Sequence, residues 1–363
     1  MGTHFIILTG VHCSGIVPCG HVVCYVCVVA KEVVQYLDKR VAEALKASLA
    51  DRTTLQYSSQ VTQFLLFCIW TCGTTPFLPV DDQVLCRYLV WQSETVDPKN
   101  LGGYLSAIRN LHLSFGLPWV DIRDRYRVGW VLKGLRRLIG AQVTRKLPIT
   151  PELLVRMRQC GKVAWDEPRM VVVWAVMLLA FFTMSRKDNF SVEKADAFNP
   201  RCHLTRGDVK VLRSCVLCEF RKSKTNQLGA RVHRVLSLSA PGTILDPKEA
   251  VTRAFALTPH ARPSDPAFMI PSPRGLIPLT HHVLVASLKH CLRAIGVDPS
   301  LYSGHSFRRG GATFAHRLGV DPMLIKRMGD WRSDAYMLYI DHNTPEGMVC
   351  LPAAMSQACA GLG

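Results

Sequence analysis

His305 and Arg308 stand three positions apart, and Trp331 is followed eight positions later by Tyr339, with Tyr336 between them. Together these side chains could attack a phosphodiester. A guanidinium fork matches two phosphate oxygens, an imidazole moves a proton near neutral pH, and a phenol can become a covalent nucleophile. Such a set needs short elements that bring it together. Asp321-Pro322 reads as an N-cap followed by a proline at the first helical position, and Gly329 stops that helix. Ser333 or Asp334 caps the next one, which carries Tyr336 and Tyr339 on roughly the same face.

The run GHSFRRGGATFAHRLGVDPMLIKRMGDWRSDAYMLYID, residues 304–341, resembles the C-terminal half of the catalytic domain of tyrosine recombinases, the phage-integrase superfamily. The wording SFRRGGAT and W-x-S-D-A-Y-x-x-Y-I is most similar to the eukaryotic mobile-element branch, the Crypton-like and DIRS-like recombinases. In that branch a Trp often stands where bacterial relatives have a second His, as Trp331 does here. The pattern extends over roughly residues 49–341, with its specificity in four short motifs.

The resemblance implies further residues. The family's first catalytic Arg commonly ends the wording T-G-L-R, with an acid three positions on. Here the segment is Thr183-Met184-Ser185-Arg186, and Asn189 takes the place of the acid. Lys224, in Ser223-Lys224-Thr225, matches the hairpin lysine that reaches the scissile phosphate. Spacing from Trp331 and the following Ile340 favour Tyr339 over Tyr336. The implied catalytic set is thus Arg186, Lys224, His305, Arg308, Trp331 and Tyr339. Such an enzyme cleaves and rejoins DNA strands through a 3′-phosphotyrosine, with no metal, ATP or other cofactor, because two guanidiniums and an ammonium supply the positive charge. The implied partner is double-stranded DNA, held by a homotetramer; no membrane and no small-molecule substrate are expected, and a eukaryotic member works in the nucleus. Two other readings keep the same fold: a domesticated DNA-binding protein that no longer recombines, and a type IB-like topoisomerase.

Composition agrees with a polyanionic partner. Lys plus Arg number 44 against 27 Asp plus Glu in 363 residues, a net charge of +17, while 48% hydrophobic content is ample for packed cores. The length makes two domains the default. The cations cluster: Arg123, Arg125, Arg127, Lys133, Arg136, Arg137, Arg145 and Lys146 face only one acid, Asp124, in their stretch, and 221–234 holds five cations and no acid. Arg136, Arg137, Arg145, Lys146, Lys222 and Arg309 are the expected DNA contacts. Fourteen cysteines in a chain this long show no secreted disulfide framework. Cys215-x-x-Cys218 falls in a strand, where i and i+3 face opposite ways, so buried thiols are a better reading than metal.

In chain order, residues 1–30 are an apolar Cys/His-rich extension without Lys or Arg. Cys19, His21, Cys24 and Cys27 are spaced like part of a zinc module that lacks its flanking ligand pairs, and a signal segment would lack its basic n-region. Residues 31–140 read as helices: 32–50, 51–71 with Thr53 or Thr54 as its cap, 82–92, 100–114 and 125–139. The resemblance makes this module the helical (SAM-like) core-binding domain. Residues 141–149 form a basic linker. Thr150-Pro151-Glu152 then opens a new helix and the catalytic domain, 150–345, with 346–363 as a tail. Met170 to Met184 reads as a buried helix, 208–238 as a small antiparallel sheet, and 241–278 as Pro-rich loops around a helix at 247–257. The expected fold class is mainly α with a small antiparallel β-sheet, the second domain being α+β.

Overall fold

A computed structural model describes residues 25–73, 78–140, 145–222, 231–273 and 275–340, and the chain divides into two compact units, 1–143 and 144–363. The expected extension, apart from residues 25–30, the Lys224 hairpin turn and the tail beyond residue 340 lie outside the described residues.

The first unit is helical: α1 (Tyr25–Ala47), α2 (Asp51–Cys72), α3 (Asp82–Gln92), α4 (Leu101–Ser114) and α5 (Tyr126–Ile139). Helix α1 begins before the expected boundary at residue 31, and its apolar Val33, Val34, Leu37 and Val41 are exposed. Helix α2 starts directly after Ala50 without a side-chain cap, so Thr53 and Thr54 sit inside its first turn. Apolar residues at helical spacing on α2 to α5 close one core around Phe64, Tyr88, Leu89, Ile108 and Leu132.

The second unit is built on α7 (Pro168–Phe182), whose residues from Met170 on are apolar on every side because nearly all of them are buried. It packs against α8 (Pro247–Ala256), α9 (His281–Ala294) and α10 (His305–Arg317). Helix α6 (Pro151–Gln159) opens as its sequence dictates, with Thr150 Oγ1 accepting from Leu153 N at 3.2 Å. Strands β1 (Val209–Val211), β2 (Cys215–Phe220) and β3 (His233–Leu238) form an antiparallel sheet in that order, with Phe220 opposite His233. The short helix α11 (Pro322–Met328) follows, and the helix expected to carry both tyrosines is instead a 3-10 turn, Asp334–Leu338, capped by Ser333, with Tyr339 just past its end.

Two further expectations need correction. The Pro-rich stretch is not only loops: β4 (Met269–Ser272) and β5 (Gly275–Pro278) pair as a hairpin that includes Pro271 and Pro278. A two-stranded sheet has an open edge on both sides, where a missing N–H leaves no ladder bond unmade. Residues 145–149 are also more than a tether. Leu147 N donates to Leu301 O at 2.8 Å, Ile149 N to Ser306 O at 3.0 Å, and Ile149 is fully buried.

Candidate active site

Close backbone approach sets the site. A Cβ on Gly310 would lie 1.8 Å from Ile149 O, and one on Gly311 would lie 2.1 Å from Phe181 O. The paired glycines therefore let α10 settle onto the end of α7, and Arg308 Nη1 reaches Met184 O at 2.7 Å. Helix α7 ends in a Schellman turn: Met184 N donates to Phe181 O and Ser185 N to Ala180 O, both at 3.1 Å. Met184 takes the left-handed position with φ of 50°. That conformation suits glycine, the residue the resembling family places there, and costs a methionine about 1–2 kcal/mol. The turn delivers Arg186, half-buried, close enough for its charge to act on Arg308.

Arg308 is 2% exposed. Its guanidinium carbon lies 3.6 Å from the centroid of Trp331 and 5.3 Å from that of Tyr339. Burial, then the charge of Arg186, pushes its pKa down to about 9, while Tyr339 and Asp330 act in the other direction. It stays protonated at neutral pH. Among the described residues its Nε and Nη2 and the Trp331 Nε1 have no hydrogen-bond partner. A buried cation with two unmet donors, beside an unmet indole N–H, is costly unless an anion completes it.

The two tyrosines separate. Tyr336 is 4% exposed and packs in a small core with Ile325 and Ile340, its ring 6.3 Å from Trp331. Tyr339 is half-buried at the end of the 3-10 turn, 5.2 Å from Trp331, with its carbonyl accepting from Thr313 Oγ1 of α10 at 3.3 Å. Only Tyr339 of the two has its ring within cation–π range of Arg308.

Three residues before Arg308 on α10, His305 remains solvent-accessible, yet its ring is crowded. Its pKa is held below the ordinary value, first by partial burial; Asp188 opposes this, while Lys187, Arg186 and Arg308 add to it. Beside it lies a network that sequence reasoning missed. Lys187 pairs with Asp188 and donates to His281 Nδ1 at 3.1 Å, and His281 Nε2 lies 3.0 Å from Ser191 O and 3.3 Å from Asp188. Burial, followed by the charge of Lys187, lowers the His281 pKa, so the ring is neutral with its proton on Nε2. Burial works to raise the Asp188 pKa, but Lys187 and then the two histidines outweigh it and hold the carboxyl below its ordinary range. An acid thus stands in the site one place earlier than the family pattern puts it. Its position two after Arg186 was the available signal; His281 had none.

The remaining candidates are scattered. Arg136 and Arg137 are exposed on α5 of the first unit; Arg145 and Lys222 are exposed in the second. Lys146 Nζ donates to Ser300 O at 2.7 Å, in the 3-10 turn Pro299–Leu301, and Arg309 Nη1 of α10 donates to Lys146 O at 3.1 Å, so the two bonds brace residues 145–149 against that turn and α10. Arg125, counted in the basic cluster, is buried and paired with Asp82, and so is not a surface contact. Cys215 and Cys218 are both buried, and burial pushes the Cys218 thiol up to about 12. Among the described residues no helix is long and apolar enough to cross a membrane.

No family model and no curated protein matches the chain. Solved structures do. A lambda integrase dimer bound to a COC′ core site aligns with a TM-score of 0.54 at 13% identity, covering 90% of this chain and 83% of that one. XerH site-specific recombinase bound to palindromic difH substrate, a post-cleavage complex, gives 0.56 at 14%, over 78% and 74%. The Tn1549 transposon integrase in complex with a circular intermediate DNA gives 0.56 at 11%, over 89% and 98%. Identities this low speak to architecture alone. The chain has the fold of the tyrosine recombinases.

Proposed function

We propose that the protein is a site-specific DNA recombinase of the eukaryotic mobile-element type, acting in the nucleus as a homotetramer on double-stranded DNA. The observation that carries this reading is the incomplete cation: Arg308, buried on the Trp331 ring with unmet donors and with Tyr339 beside it. A scissile phosphate supplies the missing acceptors. Arg186 and Arg308 neutralise its non-bridging oxygens and the pentacoordinate transition state, each such donor contributing about 3–4 kcal/mol. Trp331 Nε1 donates to the same group. The Tyr339 oxygen attacks phosphorus and gives its proton to His305, which burial and the neighbouring cations keep neutral and ready to accept it. The P–O5′ bond breaks, and Lys224, the family's hairpin lysine, protonates the leaving oxygen. A 5′-hydroxyl from a second strand reverses the step, so the energy of the bond is kept in the Tyr339–phosphate linkage.

The test is incubation with nicked suicide DNA substrates that trap the covalent intermediate. Wild type forms a protein–DNA adduct and Tyr339→Phe forms none; an adduct persisting in Tyr339→Phe removes that residue from the role. The departures at Met184, Ser185 and Asn189 favour a second reading, a DNA-binding protein that has lost recombination. Sequence-specific binding with no adduct from the wild type selects it.

A further inference from the structure

Two non-glycine residues among those described have positive φ, Met184 at 50° and Asp330 at 55°. Both end a helix that delivers a site residue. After α11, Asp330 N donates to Arg327 O at 3.2 Å and Trp331 N to Lys326 O at 3.0 Å, the same Schellman pattern that precedes Arg186. Glycine is the low-cost residue at such a position, and Asp tolerates it better than most others. Met184 has an apolar reason to be there, being buried in the small core beside Ala312 and Trp331. Asp330 is 6% exposed and carries a charge, so its presence calls for a different reason.

That reason lies on the sheet. The Asp330 carboxylate pairs with Arg231, at the approach to β3. Two residues on, His233 Nε2 lies 3.1 Å from Met328 O. Burial is the main cause that lowers the His233 pKa, so the ring is neutral and its Nε2–H donates to that carbonyl. The turn 328–331 is thus pinned twice to one stretch of chain about a hundred residues earlier. Its next residue is Trp331, whose ring lies so close over Gly329 that a Cβ there would sit 1.8 Å from Trp331 Cζ3. The same ring covers Arg308 at 3.6 Å. Backbone position at 328–330 therefore fixes where the indole lies on the guanidinium.

We infer that Asp330 is a positioning residue: through Arg231 it latches the α11–Trp331 turn to the sheet and so holds the Trp331 indole over Arg308 in register for the phosphate. This rests on the proposed reading for its consequence, not for its geometry. A helix end needs only the backbone conformation; a latch needs the carboxylate.

Asp330→Gly separates these, because glycine keeps the left-handed turn and removes the carboxylate. The melting temperature of Asp330→Gly stays at or above that of wild type, DNA affinity is little changed, and the rate of adduct formation falls about 10- to 100-fold. Arg231→Gln gives a comparable loss, and the double variant loses no more than either single one. An unchanged rate in Asp330→Gly, or losses that multiply in the double variant, overturns the latch. A second measurement does not use cleavage. In protein labelled with 15N at tryptophan, with Trp331→Phe identifying the signal, the Trp331 indole N–H resonance shifts or broadens in Asp330→Gly while the other indoles hold. An unmoved Trp331 signal refutes the inference. If wild type forms no adduct on any substrate, the recombinase reading fails and the indole measurement still decides the latch.

Discussion

Two arginines are buried among the described residues, one in each unit, and each stacks on a tryptophan. Arg125 lies 4.7 Å from the centroid of Trp119 and Arg308 lies 3.6 Å from that of Trp331. There the likeness stops. Arg125 pairs with Asp82 and donates to Val120 O at 3.2 Å and Val80 O at 3.4 Å, closing the helical unit around itself. Arg308 has one carbonyl partner, a like charge nearby in Arg186, and donors left unmet. The same side chain, stacked the same way, is in one place a completed structural cross-link and in the other a buried cation whose donors are only partly met. Burial of a charge is thus uninformative until its partners are counted.

Substitution to methionine, which keeps much of the bulk, breaks the comparison most sharply. Arg308→Met removes an uncompensated buried charge, so the urea midpoint stays level or rises, while adduct formation on suicide DNA falls about 10²–10³-fold. A large loss of stability in that variant would mean that Arg308 is structural after all. Arg125→Met runs the other way. Losing the Asp82 pair and two carbonyl bonds costs about 2–3 kcal/mol in urea denaturation, with the cleavage rate per folded molecule unchanged. Equal stability losses in the two variants would erase the distinction.

A smaller effect appears in acid, and it belongs to the second unit. His233, His281 and His305 all have folded pKa values below their ordinary 6.5, with burial the first cause. The unfolded chain therefore binds protons before the folded one does. The stability they support is whole above about pH 6.5 and drains as pH falls through that value toward the folded pKa values. Denaturant midpoints between pH 7.5 and 5 follow this slope, and His233→Gln makes it shallower. A slope unaltered by that substitution assigns the acid sensitivity elsewhere.

Local signals were read well from sequence where the physics is local. Thr150-Pro151 and Asp321-Pro322 cap helices because a side-chain oxygen answers the first free N–H groups within three residues. The run from Met170 gives a buried helix because apolar residues on all faces admit no other placement in a globular domain. Reading failed where a partner sits far along the chain. His281 meets Lys187 and Asp188 across more than ninety residues, and Arg231 meets Asp330 across about a hundred. The β4–β5 hairpin was lost for another reason: its prolines argue against strands until the open edges of the pair are seen.

By itself, then, the order of residues determined the helical framework, the mainly α class and which side chains could handle a phosphate, since these follow from periodicity, capping and chemical type. Only the tertiary structure decided that Arg125 is spent and Arg308 is not, that Tyr339 and not Tyr336 lies beside the guanidinium, and that an aspartate takes a glycine's place at residue 330. Those distinctions depend on desolvation and on contacts between distant segments, which exist only once α7, α10 and the sheet have closed on one another.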